Sequence, residues 1–121
     1  MKREKKIVLL VDDSTLILER MIPMLQEAPG VDLVVHAGSY KEAVTIIECL
    51  KPDLILLDIH LPDKSGINLL EFVHENYRQI IVFMMTNQAT DHYRAVCAQL
   101  GAQRFFDKAT EFENLTEAMS L

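Results

Sequence analysis

Residues with side chains suited to chemistry recur in one setting along this chain: Asp12 and Asp13, Asp58, Thr86 and Lys108. Each comes at or just past the end of a short apolar run. Asp12-Asp13 follow Ile7-Val8-Leu9-Leu10-Val11, and Asp58 follows Leu54-Ile55-Leu56-Leu57. Thr86 closes the stretch that opens Ile80-Ile81-Val82-Phe83-Met84, and Lys108 lies just past Gln103-Arg104-Phe105-Phe106. Three carboxylates in one crevice repel, so they need a cation or must take up protons. Hard carboxylate oxygens suit Mg²⁺, which is held by one or two carboxylates, waters and a phosphate oxygen. An aspartate can itself be the nucleophile that accepts a phosphoryl group. That transfer asks mainly for positioning and charge neutralisation, which a divalent ion and a lysine supply, and a threonine hydroxyl can donate to a phosphoryl oxygen. Taken singly, Asp13 or Ser14 is a helix cap, Asp58 a loop acid, Thr86 a β-branched strand end and Lys108 a surface lysine. Only their meeting in one crevice points to phosphoryl chemistry at Asp58. No cysteine or serine nucleophile has a partner base, and no Gly-rich phosphate loop precedes a helix.

What must bring them together is a parallel sheet. Apolar runs without polar alternation read as strands covered on both faces. Between them lie helical patterns. After Ser14, Leu18, Met21, Ile22 and Leu25 share a face, with Pro23 awkward inside it and a kink expected there; Ala28-Pro29-Gly30 closes that helix. Val31 to Ala37 resembles an exposed edge strand, interrupted by Asp32 and His36. Ser39 and Glu42 form a capping box for a helix carrying Ala43, Val44, Ile46, Ile47 and Leu50. A helix begins at Gly66 after the Pro62–Gly66 loop, and another runs from Ala89 to Leu100 and stops at Gly101. Glu111 to Met119 is the closing helix. Five βα units in sequence with right-handed crossovers predict a doubly wound, five-stranded parallel α/β sheet with helices on both faces. The flavodoxin-like order 2-1-3-4-5 puts strands one and three side by side at the topological switch point, where ligands bind beyond the strand ends. Asp12, Asp13 and Asp58 would meet there.

At 121 residues the chain is one domain, half hydrophobic and a quarter charged. Its net charge of −6 gives the domain no electrostatic footprint for nucleic acid or an anionic membrane. The Lys2-Arg3 and Lys5-Lys6 pairs read as a solvated tail. No apolar run spans a bilayer and no signal peptide opens the chain. Cys49 and Cys97 are expected to be reduced core thiols of a cytoplasmic protein.

The chain resembles a response-regulator receiver domain of two-component signalling, over essentially its whole length, 1–121. The resemblance rests on Leu10-Val11-Asp12-Asp13-Ser14, on Asp53 through Pro62 with Ser65-Gly66, on Met84-Met85-Thr86, and on Gly101-Ala102 through Phe105-Phe106-Asp107-Lys108. It implies that Asp58 takes a phosphoryl group from a histidine kinase or a phosphotransfer protein. It implies Mg²⁺ bound by Asp13, Asp58 and the backbone carbonyl of His60, with Asp12 acting mainly through water. Lys108 would pair with the acceptor carboxylate or its phosphoryl group, and Thr86 and Phe105 would form the switch pair. The signal would leave through the Thr90–Leu100 helix, the strand around Phe105 and the last helix, to a downstream protein target or a phosphorylation-dependent homodimer. No direct nucleic-acid or membrane contact is implied.

The sequence departs from the family pattern in four ways. Ala109 follows Lys108 where most receivers have a cis proline, and a cis bond before a non-proline residue costs about 2.5–4 kcal/mol; a trans loop with a displaced lysine is the expectation. Phe105 lacks a tyrosine hydroxyl. His60 and Gln88 occupy variable positions, two residues beyond Asp58 and Thr86, that are associated with dephosphorylation rate. Nothing after Leu121 suggests an effector domain, so the chain is a single-domain regulator or the receiver part of a DNA-binding transcription factor. The reading is of a switch whose only chemistry is on its own Asp58, not an enzyme with a free substrate. A Mg²⁺-dependent phosphatase is disfavoured because His60 stands where a second acid would serve as general acid. A scaffold that is never phosphorylated is disfavoured by the intact acidic pair, Asp58, Thr86 and Lys108.

Overall fold

Strands with no polar alternation can only be buried by helices above and below, and the chain resolves that demand in the expected way. The structure, a computed structural model, describes residues 6–108. The basic residues Lys2, Arg3 and Lys5, the peptide to Ala109 and the Glu111–Met119 helix expected from the sequence lie outside the described residues. In chain order the elements are β1 (Lys6–Val11), α1 (Thr15–Gln26), β2 (Val31–Ala37), α2 (Tyr40–Leu50), β3 (Leu54–Asp58), α3 (Gly66–Asn76), β4 (Ile81–Thr86), α4 (Asp91–Gln99) and β5 (Arg104–Asp107).

All strand pairs are parallel, in the order β2-β1-β3-β4-β5. Alternate residues of each strand feed two separate cores. Leu9, Val11, Ile55, Leu57, Val82 and Met84 join α2, α3 and α4 on one face. Val8, Leu10, Leu54, Leu56, Phe83 and Met85 join α1 on the other. β2 is the exposed edge its Asp32 and His36 announced. Burying each large aliphatic is worth about 1.5–3 kcal/mol, which is why the central strands tolerate no polar residue until they end.

Local signals set the helix starts. The hydroxyls of Ser14, Ser39, Ser65 and Thr90 accept from backbone N–H groups in the first turns of α1 to α4 respectively. Pro23 lies inside α1, which runs unbroken past it to Gln26. Burial of Met21 and Leu25 on the same helix offsets the missing donor. Two expectations need correction. Glu42 does not close the box on Ser39; its carboxylate accepts from the Gly38 N–H at 2.7 Å, one residue further back. Cys49 is not a core thiol but exposed, because Ala43 and Ile47 set the buried face of α2 and Cys49 lies two residues past Ile47, well round the helix. Cys97 is buried, and burial pushes its thiol up to about 11.

Gly101 ends α4 through a left-handed residue, φ +99°. The N–H of Gly101 bonds to the Ala98 carbonyl and that of Ala102 to the Cys97 carbonyl, the paired bonds of a Schellman close. A Cβ at this position would also strike the His74 ring. Gly101→Ala is therefore expected to destabilise the domain by roughly 1–3 kcal/mol, read as a lower urea midpoint with an unchanged m-value.

Candidate functional site

Because β1 and β3 are neighbours, with Val11 opposite Leu57, their ends deliver Asp12 and Asp58 to the same edge of the sheet. Asp58 is the last residue of β3 rather than the first beyond it. Oxygens of Asp12, Asp13 and Asp58 all lie within 4.8 Å of one another. Asp12 is fully buried, Asp58 is 6% exposed and Asp13 is exposed. The three carboxylates thus form a cup with two buried walls and one wall open to solvent.

Among the described residues, one cation faces this cup. Lys108 Nζ lies 2.5 Å from Asp12 Oδ2 and 3.1 Å from Asp58 Oδ2, and its side chain is itself buried. The expectation of a displaced lysine turns on the peptide to Ala109, outside the described residues; the Lys108 side chain itself reaches both acids. The Lys108 backbone N–H donates to the Thr86 carbonyl at 2.9 Å, which fixes the residue just past β5 and lets its side chain reach both acids. The other Asp12 oxygen accepts from the Ser14 N–H at 2.9 Å, so both oxygens of this carboxylate have partners.

Asp58 balances opposing effects. Burial is the largest and raises its pKa; the Lys108 charge pulls it down, Asp12 pushes it up, and hydrogen bonds from Lys108 and the His60 backbone pull it down. The net direction is upward. Charge on Asp58 is therefore held at a cost.

Thr86 ends β4 fully buried beside this group. Its hydroxyl oxygen accepts from the Gln88 N–H at 3.1 Å. Gln88 and His60 are both exposed, and the His60 ring meets the Tyr93 ring edge-on at 6.0 Å. Phe105 is half-buried on β5, opposite Met84. The Arg94 guanidinium lies over its ring at 4.9 Å, within cation–π range. The structure therefore gathers Asp12, Asp13, Asp58 and Lys108 into one cluster. Thr86 and Gln88 stand at the neighbouring strand end, and His60 and Phe105 at its flanks.

Three contributors were not legible as such. Gly66 permits a close approach: a Cβ there would collide with the backbone carbonyl of Asp58, and its N–H donates to the Ile59 carbonyl at 2.6 Å. Arg94 carried no signal that it would meet Phe105 across the sheet edge. Asp63 reads as a turn residue, yet its carboxylate accepts from the N–H groups of Tyr40 and Lys41, at 2.8 and 3.0 Å, across more than twenty residues. The Tyr40 N–H bond is the largest cause of the lowered pKa of Asp63.

The cup fits a hard divalent cation on its donor set: three carboxylates within ligand range, one still open to solvent and hence to waters. Among the described residues, no helix is long and apolar enough to cross a membrane.

Comparison with known proteins agrees with this geometry. The family model of the response regulator receiver domain matches residues 8–120. The sensory transduction protein LytT of Enterococcus faecalis is 35% identical over 113 residues, which cover 93% of this chain and 46% of that protein. The nitrate/nitrite response regulator NarL of Escherichia coli is 29% identical over 97% of this chain and 54% of its own length. The chain thus spans about half the length of the curated relatives it matches. A signal receiver domain from Vibrio parahaemolyticus has a crystal structure that superposes with a TM-score of 0.87 at 28% identity, over 96% of this chain and 88% of that one.

The upward shift of Asp58 has a thermodynamic consequence. A carboxyl that holds its proton more tightly when folded loses the domain stability as pH rises from its ordinary value, 3.8, through the raised one. Asp58→Asn is therefore expected to melt a few degrees above wild type at neutral pH in EDTA. The gap should close as pH falls and Asp58 becomes neutral in the wild type. Saturating Mg²⁺ should narrow it from the other side, by stabilising the wild type through binding. Thermal melts over pH, with and without the ion, check both arms.

Proposed function

The chain belongs to the response regulator receiver family, and on that premise we propose that it is a signalling switch set by phosphorylation of Asp58. The observation that carries the reading is the ion cluster: a nearly buried carboxylate at a strand end, beside a second buried acid, with one buried lysine touching both. The reaction is acyl phosphate formation. An Asp58 oxygen attacks the phosphorus, the bond from phosphorus to the donor's imidazole nitrogen breaks, and the imidazole keeps the electron pair.

Asp13, Asp58 and the His60 carbonyl would hold Mg²⁺, with Asp12 reaching it through water. When bound, the ion supplies positive charge against the phosphoryl oxygens. The rest falls to the chain's own residues. Lys108 would oppose the effect of burial on Asp58 by pulling its pKa down, and would then pair with the phosphoryl group. The Thr86 oxygen already accepts the Gln88 N–H, which leaves its own proton for a phosphoryl oxygen. Movement of Thr86 toward that oxygen makes room for Phe105 to turn inward, a local charge change that biases a two-state element. Arg94 over the Phe105 ring would have to yield in that step.

In this reading the donor is a histidine kinase or phosphotransfer protein, the output surface lies around α4 and β5, and the recipient is a protein target or a second copy of the chain. The domain turns over no free substrate and works in the cytoplasm. A second reading, the receiver part of a DNA-binding regulator, is favoured by one observation: the matched relatives are about twice as long as this chain. The surrounding open reading frame decides between them.

Incubation with acetyl phosphate should add one phosphoryl mass, dependent on Mg²⁺ and absent in Asp58→Ala. A folded chain that gains no mass from acetyl phosphate or a phosphorylated donor, and binds no Mg²⁺, would sink the switch. Replacing His60 or Gln88 by alanine should change the phosphoryl lifetime severalfold; unchanged decay in both variants would remove them from rate control.

A further inference from the structure

The loop between β3 and α3 carries the acceptor's immediate neighbours, and it is tied to a helix remote in sequence. Asp63 lays both carboxylate oxygens on the first two N–H groups of α2, those of Tyr40 and Lys41, at 2.8 and 3.0 Å. Next to it the Lys64 ammonium lies over the Tyr40 ring, 4.7 Å from its centroid. These are independent contacts between the same two segments. The start of α2 already has its own cap, since Ser39 Oγ accepts from the Glu42 N–H at 3.1 Å. Asp63 therefore satisfies donors that Ser39 leaves open and fixes the loop by doing so.

His60 lies three residues before Asp63. Its carbonyl must face the carboxylate cup for the proposed ion set to close, and nothing in its exposed side chain enforces that beyond the edge contact with Tyr93. The far end of the loop is fixed by Gly66, whose N–H bonds to the Ile59 carbonyl. The segment from His60 to Ser65 is thus a short strap, pinned at its root by Gly66 and at its crest by Asp63.

We propose that Asp63 is a positioning residue for the divalent ion: by clamping the strap to the N-terminus of α2 it holds the His60 carbonyl toward the cup. The inference rests on the proposed phosphorylation site and deepens it. It couples two places, the ion cup and the α2 N-terminus, and coupling is reciprocal. Whatever factor Asp63 contributes to ion affinity, the bound ion must return to the latch.

The test uses the chain as it stands, with MgCl₂ alone as the probe. Calorimetric titration of Asp63→Ala should show Mg²⁺ binding roughly fivefold weaker than wild type, at the low end of measured couplings. Asp63→Asn, which keeps one acceptor oxygen, should recover part of that loss. At saturating Mg²⁺, the initial rate of phosphorylation by acetyl phosphate should equal that of wild type. The whole defect would then lie in ion binding. In wild type, Mg²⁺ should slow hydrogen exchange at the Tyr40 and Lys41 amides. An Asp63→Ala chain that melts earlier yet binds Mg²⁺ as wild type does would reduce Asp63 to a helix cap and overturn the proposal. A wild-type chain that binds no Mg²⁺ overturns the functional reading beneath it, and this proposal with it.

Discussion

The contact on which the site depends is the buried ammonium of Lys108 between Asp12 and Asp58. Among the described residues three carboxylates face one lysine, so the crevice carries unbalanced negative charge, with Asp12 and Asp58 buried and only Asp13 open to solvent. Such a cluster is poor stabilising material; apolar residues of similar size often serve a fold as well or better. Its presence fits a site that takes up further positive charge, since three carboxylates within ligand range of one another suit a hard divalent cation. The strand order is what makes the cluster possible. Only with β1 beside β3 do Asp12 and Asp58 meet, and only with β4 and β5 following does the Lys108 backbone reach the Thr86 carbonyl.

The fold and the members of the cluster were legible for the same reason. A strand buried on both faces allows no polar residue along its length, so the first acid, hydroxyl or amine to appear marks the strand end, and in a parallel sheet of this kind the strand ends share one edge. Asp12, Asp58 and Thr86 announce themselves in this way, whereas Lys108 comes one residue past Asp107, the last residue of the edge strand β5. Boundaries shifted by a residue or two, as with Asp58 falling inside β3 and α4 starting at Asp91. Hydrogen bonding sets those limits, and side-chain character hardly changes across them.

What sequence could not show is contact between segments distant along the chain. Asp63 sits in a Pro-Asp-Lys-Ser-Gly stretch whose local meaning is a turn, and no periodicity ties it to Tyr40 and Lys41. Arg94 over Phe105 is the same kind of case. Cys49 failed for a different reason. Hydrophobic type does not by itself mean burial; helical phase, set by Ala43 and Ile47, turns position 49 outward. Asp13 is exposed and yet lies within ligand range of the two buried acids, so exposure does not separate it from the cluster.

These non-local contacts bear on how a charge added at Asp58 would be felt. The strap following Asp58 is held by Gly66 against the Asp58 backbone, by Asp63 against α2 and by the His60–Tyr93 edge contact against α4. A segment fixed at three places has little freedom to yield. The other neighbour of the acceptor is β4, where Thr86 holds its hydroxyl by a single accepted bond from the Gln88 N–H. Rotation about one side-chain bond costs far less than lifting a strap off two helices. A charge added at Asp58 would on this geometry be accommodated more readily at Thr86, which adjoins the turn that starts α4, than in the strap. Tyr93 and Arg94 are consecutive residues in that helix, one against His60 and the other over Phe105. A shift of α4 would therefore disturb both contacts at once.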